Sequence, residues 1–135
     1  MKKQETIQLS LKKEWFDLTA SGVKLEDYRD ITPYWCSRFL LWKGKEQTTY
    51  KWHETLVSGD HTTDFLLGKR TEKNLITFKP FLINKMTSGY PSKDDHSRIL
   101  NIEHKGIEVR RGNPLWGAKP DKIYFVIMHG DFIKD

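Results

Sequence analysis

Three side chains within six residues concentrate the chemistry available to this sequence: Lys24, Asp27 and Arg29, in the run Ser21-Gly22-Val23-Lys24-Leu25-Glu26-Asp27-Tyr28-Arg29-Asp30. A lysine held beside a carboxylate in a partly enclosed cleft feels two opposed influences, because burial lowers its pKa and the carboxylate raises it. The balance decides whether Lys24 can act as a base. Arg29 brings a planar fork that matches a phosphate or a carbonyl oxygen. Taken as anonymous charges, the same run reads first as an exposed strand laced with ion pairs.

Other chemistry-bearing residues form weaker patterns. His53, His61, His96, His104 and His129 have no pair at the spacing of a helix-borne ligand set and no cysteine pair beside them, so no metal site and no cofactor is expected. Cys36 would need a histidine brought to it in space to act as a nucleophile; beside Trp35 it reads as a small buried hydrophobe. Ser58-Gly59-Asp60-His61 contains the residue types of a triad, but neighbours in sequence rarely form one. Trp35, Trp42, Tyr50, Trp52 and Trp116 are interleaved with Arg38, Lys43, Lys45 and Lys51, a mixture that suits bases stacked on rings and phosphates held by cations. Core packing must claim most of these rings. Trp116, in a Gly/Pro-rich loop, is the one best placed to face a ligand.

The elements that must position the central run follow from periodicity. Thr6-Ile7-Gln8-Leu9-Ser10-Leu11 alternates apolar and polar residues, as a half-buried strand does. Residues 13–21 switch to helical spacing through Trp15, Leu18 and Thr19, with Phe16 beside them, and Gly22 falls where a left-handed cap would stop the helix. Residues 24–31 return to an extended form until Pro33, which suits the first turn of a helix over residues 34–42. Residues 44–70 are rich in Thr, Lys and His, with turn signals at Gly59-Asp60 and Gly68-Lys69; short strands or an ordered loop both fit. Residues 75–83 read as one strand that Pro80 confines to an edge or a bulge, and residues 87–97 as a loop. Residues 99–109 alternate, two Gly/Pro turns follow at residues 112–114 and 116–120, and residues 122–128 are apolar on both faces, which predicts a central strand covered on both sides. Several strands with two or more short helices predict an α+β fold, a small, strongly bent mixed sheet or open β-barrel.

Composition limits what such a domain can be. At 135 residues the chain is the size of one domain, with no repeat or linker to divide residues 1–135. Only 37% of the residues are apolar, but five Trp, seven Phe and five Tyr supply bulky core side chains. One cysteine excludes an intrachain disulfide and a multi-cysteine zinc site. No apolar run approaches the ~18 residues of a membrane span and no signal-peptide core is present, so a cytoplasmic protein without a membrane partner is expected. A net charge of +5, from 23 basic and 18 acidic residues, favours polyanions such as nucleic acid, or marks a merely basic solvated surface.

The central run has a further property. Gly22-x-Lys24-x-x-Asp27-x-Arg29 resembles the signature of the ASCH domain, a branch of the PUA-like superfamily, which reads glycine, any, lysine, any, any, glutamate, any, arginine. The surroundings agree: an opening strand, a short helix with Trp15 where ASCH sequences often place an aromatic, and a closing strand Tyr124-Phe125-Val126-Ile127. The flank Tyr28-Arg29-Asp30-Ile31-Thr32-Pro33-Tyr34-Trp35 and the block Gly112-Asn113-Pro114-Leu115-Trp116-Gly117-Ala118 also look like ASCH-type proteins of Bacteroides and their phages. The resemblance covers most of the chain and is poorest over residues 44–70. It implies a PUA-like open barrel whose cleft, between barrel mouth and first helix, takes RNA or a modified nucleoside through Gly22, Lys24, Asp27, Arg29 and Trp116. Some small bacterial members deacylate N4-acetylcytidine and another is described as a ribonuclease. Carried across, the catalytic positions are Lys24 and Asp27, with Glu103 or Glu108 as the later glutamate. One position departs from the pattern: Asp27 is one methylene shorter than the family glutamate, and Glu26 cannot replace it because adjacent strand residues face opposite ways. The expectation is therefore binding first, with the hydrolase or nuclease and a non-catalytic phage or accessory interaction module as the alternatives. The sequence sets no oligomeric state.

Overall fold

The computed structural model describes residues 5–58 and 76–134. β1 (Thr6–Leu11) leads into α1 (Lys13–Ala20), β2 (Glu26–Arg29), α2 (Pro33–Phe39), β3 (Leu40–Trp42) and α3 (Thr49–Ser58). After the gap come β4 (Ile76–Phe78), β5 (Ile83–Ser88), β6 (Ile99–Arg111) and β7 (Ile123–Phe132), with short 3-10 turns at His96–Arg98 and Pro114–Trp116. Five strands form one mixed sheet in the order β1-β5-β6-β7-β2, curled into a half-barrel. Among the described strands the β1–β5 pairing alone is parallel. Register breaks between β6 and β7 around His104 and Gly106 bend the two long strands, as bulges do. β3 and β4 pair separately. The fold is α+β, with three α-helices among the described residues where two or more short ones are expected.

The local reasons are legible in residues. Alternation in β1 buries Ile7, Leu9 and Leu11. α1 turns Phe16 and Thr19 inward and ends where Gly22 takes a φ of +82°, a conformation that costs a residue with a Cβ and suits glycine. That cap lets the backbone N–H of both Val23 and Lys24 reach Leu18 O, which sets the path into β2. α2 starts on Thr32, whose hydroxyl accepts from Trp35 N–H, with Pro33 in the first turn. In β7, Tyr124, Phe125, Val126 and Ile127 are all buried. Phe125 and Ile127 join the main core, which includes Leu9, Phe39, Leu40, Trp52, Met86 and Ile102. Tyr124 and Val126 form a smaller cluster with Ala118, Tyr28 and Met128. The strand is central and covered on both sides, as its apolar pattern predicts.

Three expectations change. The helix predicted over residues 34–42 stops at Phe39, and Leu40–Trp42 are a strand, because Leu40 is fully buried in extended form opposite Phe78. The single strand predicted over residues 75–83 is two, in different sheets. Pro80 has no N–H for a ladder, and the chain turns across it with Phe81 N–H donating to Lys79 O. Within residues 44–70, where strands or a loop were expected, residues 49–58 are helical. Trp52, fully buried, anchors α3 against Trp42 at 6.4 Å, with Leu56 one turn on. The signals at Gly59-Asp60, His61 and Gly68-Lys69, and Leu75, lie outside the described residues. Among the described residues no helix is long and apolar enough to cross a membrane.

Candidate functional site

β2 is an edge strand, and its alternation sends Asp27 and Arg29 to one side and Glu26 and Tyr28 to the other. Lys24 precedes the strand on the turn set by Gly22, and its side chain folds back over β2. Its Nζ donates to Glu26 O at 2.6 Å and to Asp27 Oδ1 at 3.3 Å. Lys24 is 3% exposed and Asp27 4%, so this is a buried ion pair and not a solvated one. Asp27 also receives Arg29: Nε donates to Oδ2 at 2.8 Å. The Arg29 fork is completed internally by Nη2 donating to Ser10 O at 2.9 Å, and the guanidinium lies 5.1 Å from the centre of the Trp35 ring. One carboxylate is thus shared by two cations, and the cluster carries a net positive charge.

Burial is the larger influence on Lys24 and pulls its pKa below the ordinary lysine value, although Asp27 opposes the shift. The Tyr28 ring, 5.6 Å from Nζ, adds a favourable face.

Lys24, Asp27 and Arg29 open onto a cleft of about 230 Å³. Its walls are the end of β1 through Ser10 and Leu11, Trp15 at the start of α1, Tyr28, Tyr124 and the turn at Trp116 and Gly117. Gly117 has a φ of +98°, and a Cβ there would stand 3.0 Å from the Trp15 ring. Glycine is what allows the turn to close against α1. Trp116 is half-buried and lines the cleft, where the sequence places it. Lys12, exposed, adds a cation at the rim.

Not every anticipated residue is there. Gly22 is exposed and does not line the cleft; its contribution is the helix stop. Glu103 lies exposed on β6, paired with Lys105 at 3.1 Å, and Glu108 pairs with Arg110 at 2.9 Å. Neither lines the cleft, so Asp27 is the one carboxylate among the described residues that do. Cys36 is fully buried, and burial pushes its thiol up to about 12, which leaves it a packing residue. Among the described residues no group of three His, Cys, Asp or Glu is placed to hold a metal ion.

Sequence reasoning missed a polar chain beside the cluster. Asn84, fully buried on β5, donates through Nδ2 to Met128 O at 3.1 Å and to His129 Nδ1 at 2.8 Å. Because Met128 O can only accept, the Asn84 amide orientation follows, and Asn84 Oδ1 accepts from His104 Nδ1 at 2.7 Å. His129 is therefore neutral, with its proton on Nε2. Burial pushes its pKa down to about 4, with Asp27 raising it and Lys24 lowering it further. The signal available beforehand was one Asn in the mixed run Ile83-Asn84-Lys85-Met86-Thr87-Ser88, which carries too little information to name a partner.

No family model, curated protein or solved structure matches the chain.

Proposed function

We propose that the chain is a cytoplasmic RNA- or modified-nucleoside-binding domain, and that the ligand enters the cleft around Lys24, Asp27 and Arg29. One observation carries the reading. A lysine ammonium has three N–H donors, and Lys24 commits two of them, to Glu26 O and Asp27. The third has no partner among the described residues, and Lys24 lines a small cleft walled by Trp15, Trp116, Tyr28 and Tyr124. A planar base with a carbonyl oxygen satisfies both features: its faces meet rings and its oxygen meets a buried cation. At about 230 Å³ the cleft suits one base and not an extended chain. The resemblance of Gly22-x-Lys24-x-x-Asp27-x-Arg29 to the ASCH signature supports the same ligand class.

Titration calorimetry with N4-acetylcytidine and with cytidine tests it. Lys24→Met keeps the apolar stem and removes the donors, and it weakens binding by about tenfold or more while Asp27 stays paired to Arg29. Equal binding by wild type and Lys24→Met, or no binding of either nucleoside to wild type at millimolar concentration, overturns the reading.

A hydrolase that deacylates N4-acetylcytidine-like nucleosides draws on the lowered pKa of Lys24, which brings an uncharged amine closer to neutral pH. Among the described residues Asp27 is its one carboxylate in the cleft. Incubation with N4-acetylcytidine followed by chromatography decides it, and absence of cytidine at high protein concentration removes it. Cleavage of a labelled single-stranded RNA in the same assay would point to a ribonuclease instead.

A further inference from the structure

A second cleft, of about 410 Å³, adjoins the first and shares Arg29 and Ser10 with it. Its other lining groups include Tyr34, Trp35 and Arg38 from α2, Thr87 from β5 and Tyr90 just beyond that strand. No aspartate or glutamate is among them. Arg38 is exposed and has no hydrogen bond or ion pair among the described residues; its guanidinium only rests 6.0 Å from the Tyr34 ring, one helical turn away. Trp35 is engaged within the fold, stacked on Phe39 at 5.2 Å and covered by Arg29 at 5.1 Å. Its role is to hold Tyr34, which meets it edge-on at 4.9 Å. The free ring surface belongs to Tyr34, 51% exposed, and Tyr90, 91% exposed. Tyr90 does not hang on a loose loop: the base of its segment is tied down by Gly89 N–H donating to Leu11 O at 3.0 Å and by the buried Thr87 hydroxyl donating to Gly89 O at 2.8 Å.

Two exposed tyrosine rings, one guanidinium without a hydrogen-bond or ion-pair partner among the described residues and no carboxylate in the lining make a groove for a π-faced polyanion. We propose that this second cleft holds the neighbouring nucleotide of a single-stranded RNA whose selected base enters the first cleft, with Arg38 on the phosphodiester and Tyr34 and Tyr90 against the next base. The inference rests on the nucleoside-binding reading and deepens it: the ligand is a strand and not a free nucleoside. Arg29, at the wall between the clefts, marks the point where the backbone crosses.

Fluorescence anisotropy with 5′-fluorescein hexacytidylate, beside calorimetry with cytidine and N4-acetylcytidine, separates the two ideas. Arg38 and Tyr90 are exposed, so Arg38→Ala and Tyr90→Ala leave the fold intact. Each weakens hexamer binding by about fivefold or more and leaves nucleoside binding unchanged. Arg38→Ala also flattens the slope of log affinity against log salt by about 0.7. Hexamer binding unaffected by both variants, or no hexamer binding at all, overturns the second cleft. Nucleoside binding that depends on Lys24 would survive that result. Conversely, a hexamer that binds through Arg38 without any nucleoside binding supports the groove and removes the base pocket. Displacement of the hexamer by polyglutamate at equal charge concentration would assign the groove to acidic peptides and overturn the RNA proposal.

Discussion

The two faces of β2 carry similar residues and come to different ends. On one face Asp27 is shared by Lys24 and Arg29, and all three open onto a cleft. On the other, Glu26 accepts both arms of Arg110 and the Tyr28 hydroxyl. The Tyr28 oxygen in turn accepts from Asn113 N–H at 2.8 Å, which fastens the turn that leads to Trp116. Both faces pair acid with base. The difference is solvent: the Lys24 and Asp27 side chains are 2% and 5% exposed, whereas Arg110 is 38% exposed and has Glu108 as a second partner. Charge in the first cluster is held against its desolvation cost, a condition found where a ligand is meant to meet it. Charge in the second is relaxed and serves as a clamp. Alternation on one strand has sent the buried cluster and the clamp to opposite faces, with the Tyr28 ring reaching the cleft wall as well.

The contrast is most open to test by removing the acid from each face. Asp27→Ala strands a buried lysine and should cost about 3–5 kcal/mol in urea unfolding. Glu26→Ala leaves Arg110 with Glu108 and with water, and should cost about 1–2 kcal/mol. Equal losses would mean that the two clusters are energetically alike.

The pH dependence has the same sign on the two faces and falls in different windows. Lys24 has its native pKa lowered, so on the alkaline side the unfolded chain holds a proton that the native state has released. Stability should therefore rise as pH climbs from the native Lys24 value towards 10.5, and Lys24→Met should abolish the rise. Glu26 is also lowered, with burial opposing the shift and the bonds from Arg110 and Tyr28 overcoming it, so its contribution is full above 4.5 and lost as pH falls through its native value. His129 adds to the acid side. Its ordinary value of 6.5 falls to about 4, so between those values the unfolded chain takes a proton that the native state refuses. The loss on acidification across that window is up to about 3 kcal/mol, and His129→Gln should remove that step in unfolding curves measured from pH 7 to pH 4.

Tyr28→Phe touches only the clamp. It should cost about 1–2 kcal/mol by leaving Asn113 N–H and Glu26 without the hydroxyl, while nucleoside affinity measured by calorimetry stays unchanged because the ring remains in the cleft wall. A loss of affinity would show that the clamp positions Trp116 and that the two faces are coupled. The smallest effect belongs to Glu103→Gln: with Glu103 exposed and held by Lys105 and the backbone of Asp131, away from the cleft, neither ligand affinity nor any deacylation rate should change. A drop in rate would return Glu103 to the chemistry.

Much of this was legible in the sequence because the relevant physics is local. Alternation in Thr6–Leu11, the glycine stop after residue 20, Pro33 in a first turn and the doubly apolar Tyr124–Ile127 each report on neighbours a few residues away. Lys24, Asp27 and Arg29 meet for the same reason, since strand alternation and a short turn suffice to bring them together. Trp116 could be singled out by its loop. Where reading fell short, a distant partner had decided the matter. Leu40–Trp42 continue a helical pattern but extend to meet Ile76–Phe78, more than thirty residues away. Residues 49–58 look polar and β-branched, yet become helical because one face offers Trp52 to the core. The placement of Glu103 outside the cleft depended on the β6–β7 register and its bulges, which no local pattern encodes.

The sequence by itself determined the residue types of the cluster, their order on one strand, the glycine that starts the turn and the α+β class, because each depends on backbone preferences and a short period. Tertiary structure decided that the cluster is buried and not solvated. That outcome needed β1, α1 and the turn at Trp116 and Gly117 to close around β2 from separate parts of the chain. It also decided that Arg29 donates to Asp27 and Ser10 while Arg38 rests on Tyr34 with no hydrogen bond or ion pair among the described residues. Desolvation and pairing are properties of assembled neighbours, and they alone distinguish a solvated charged strand from a buried cluster at a cleft.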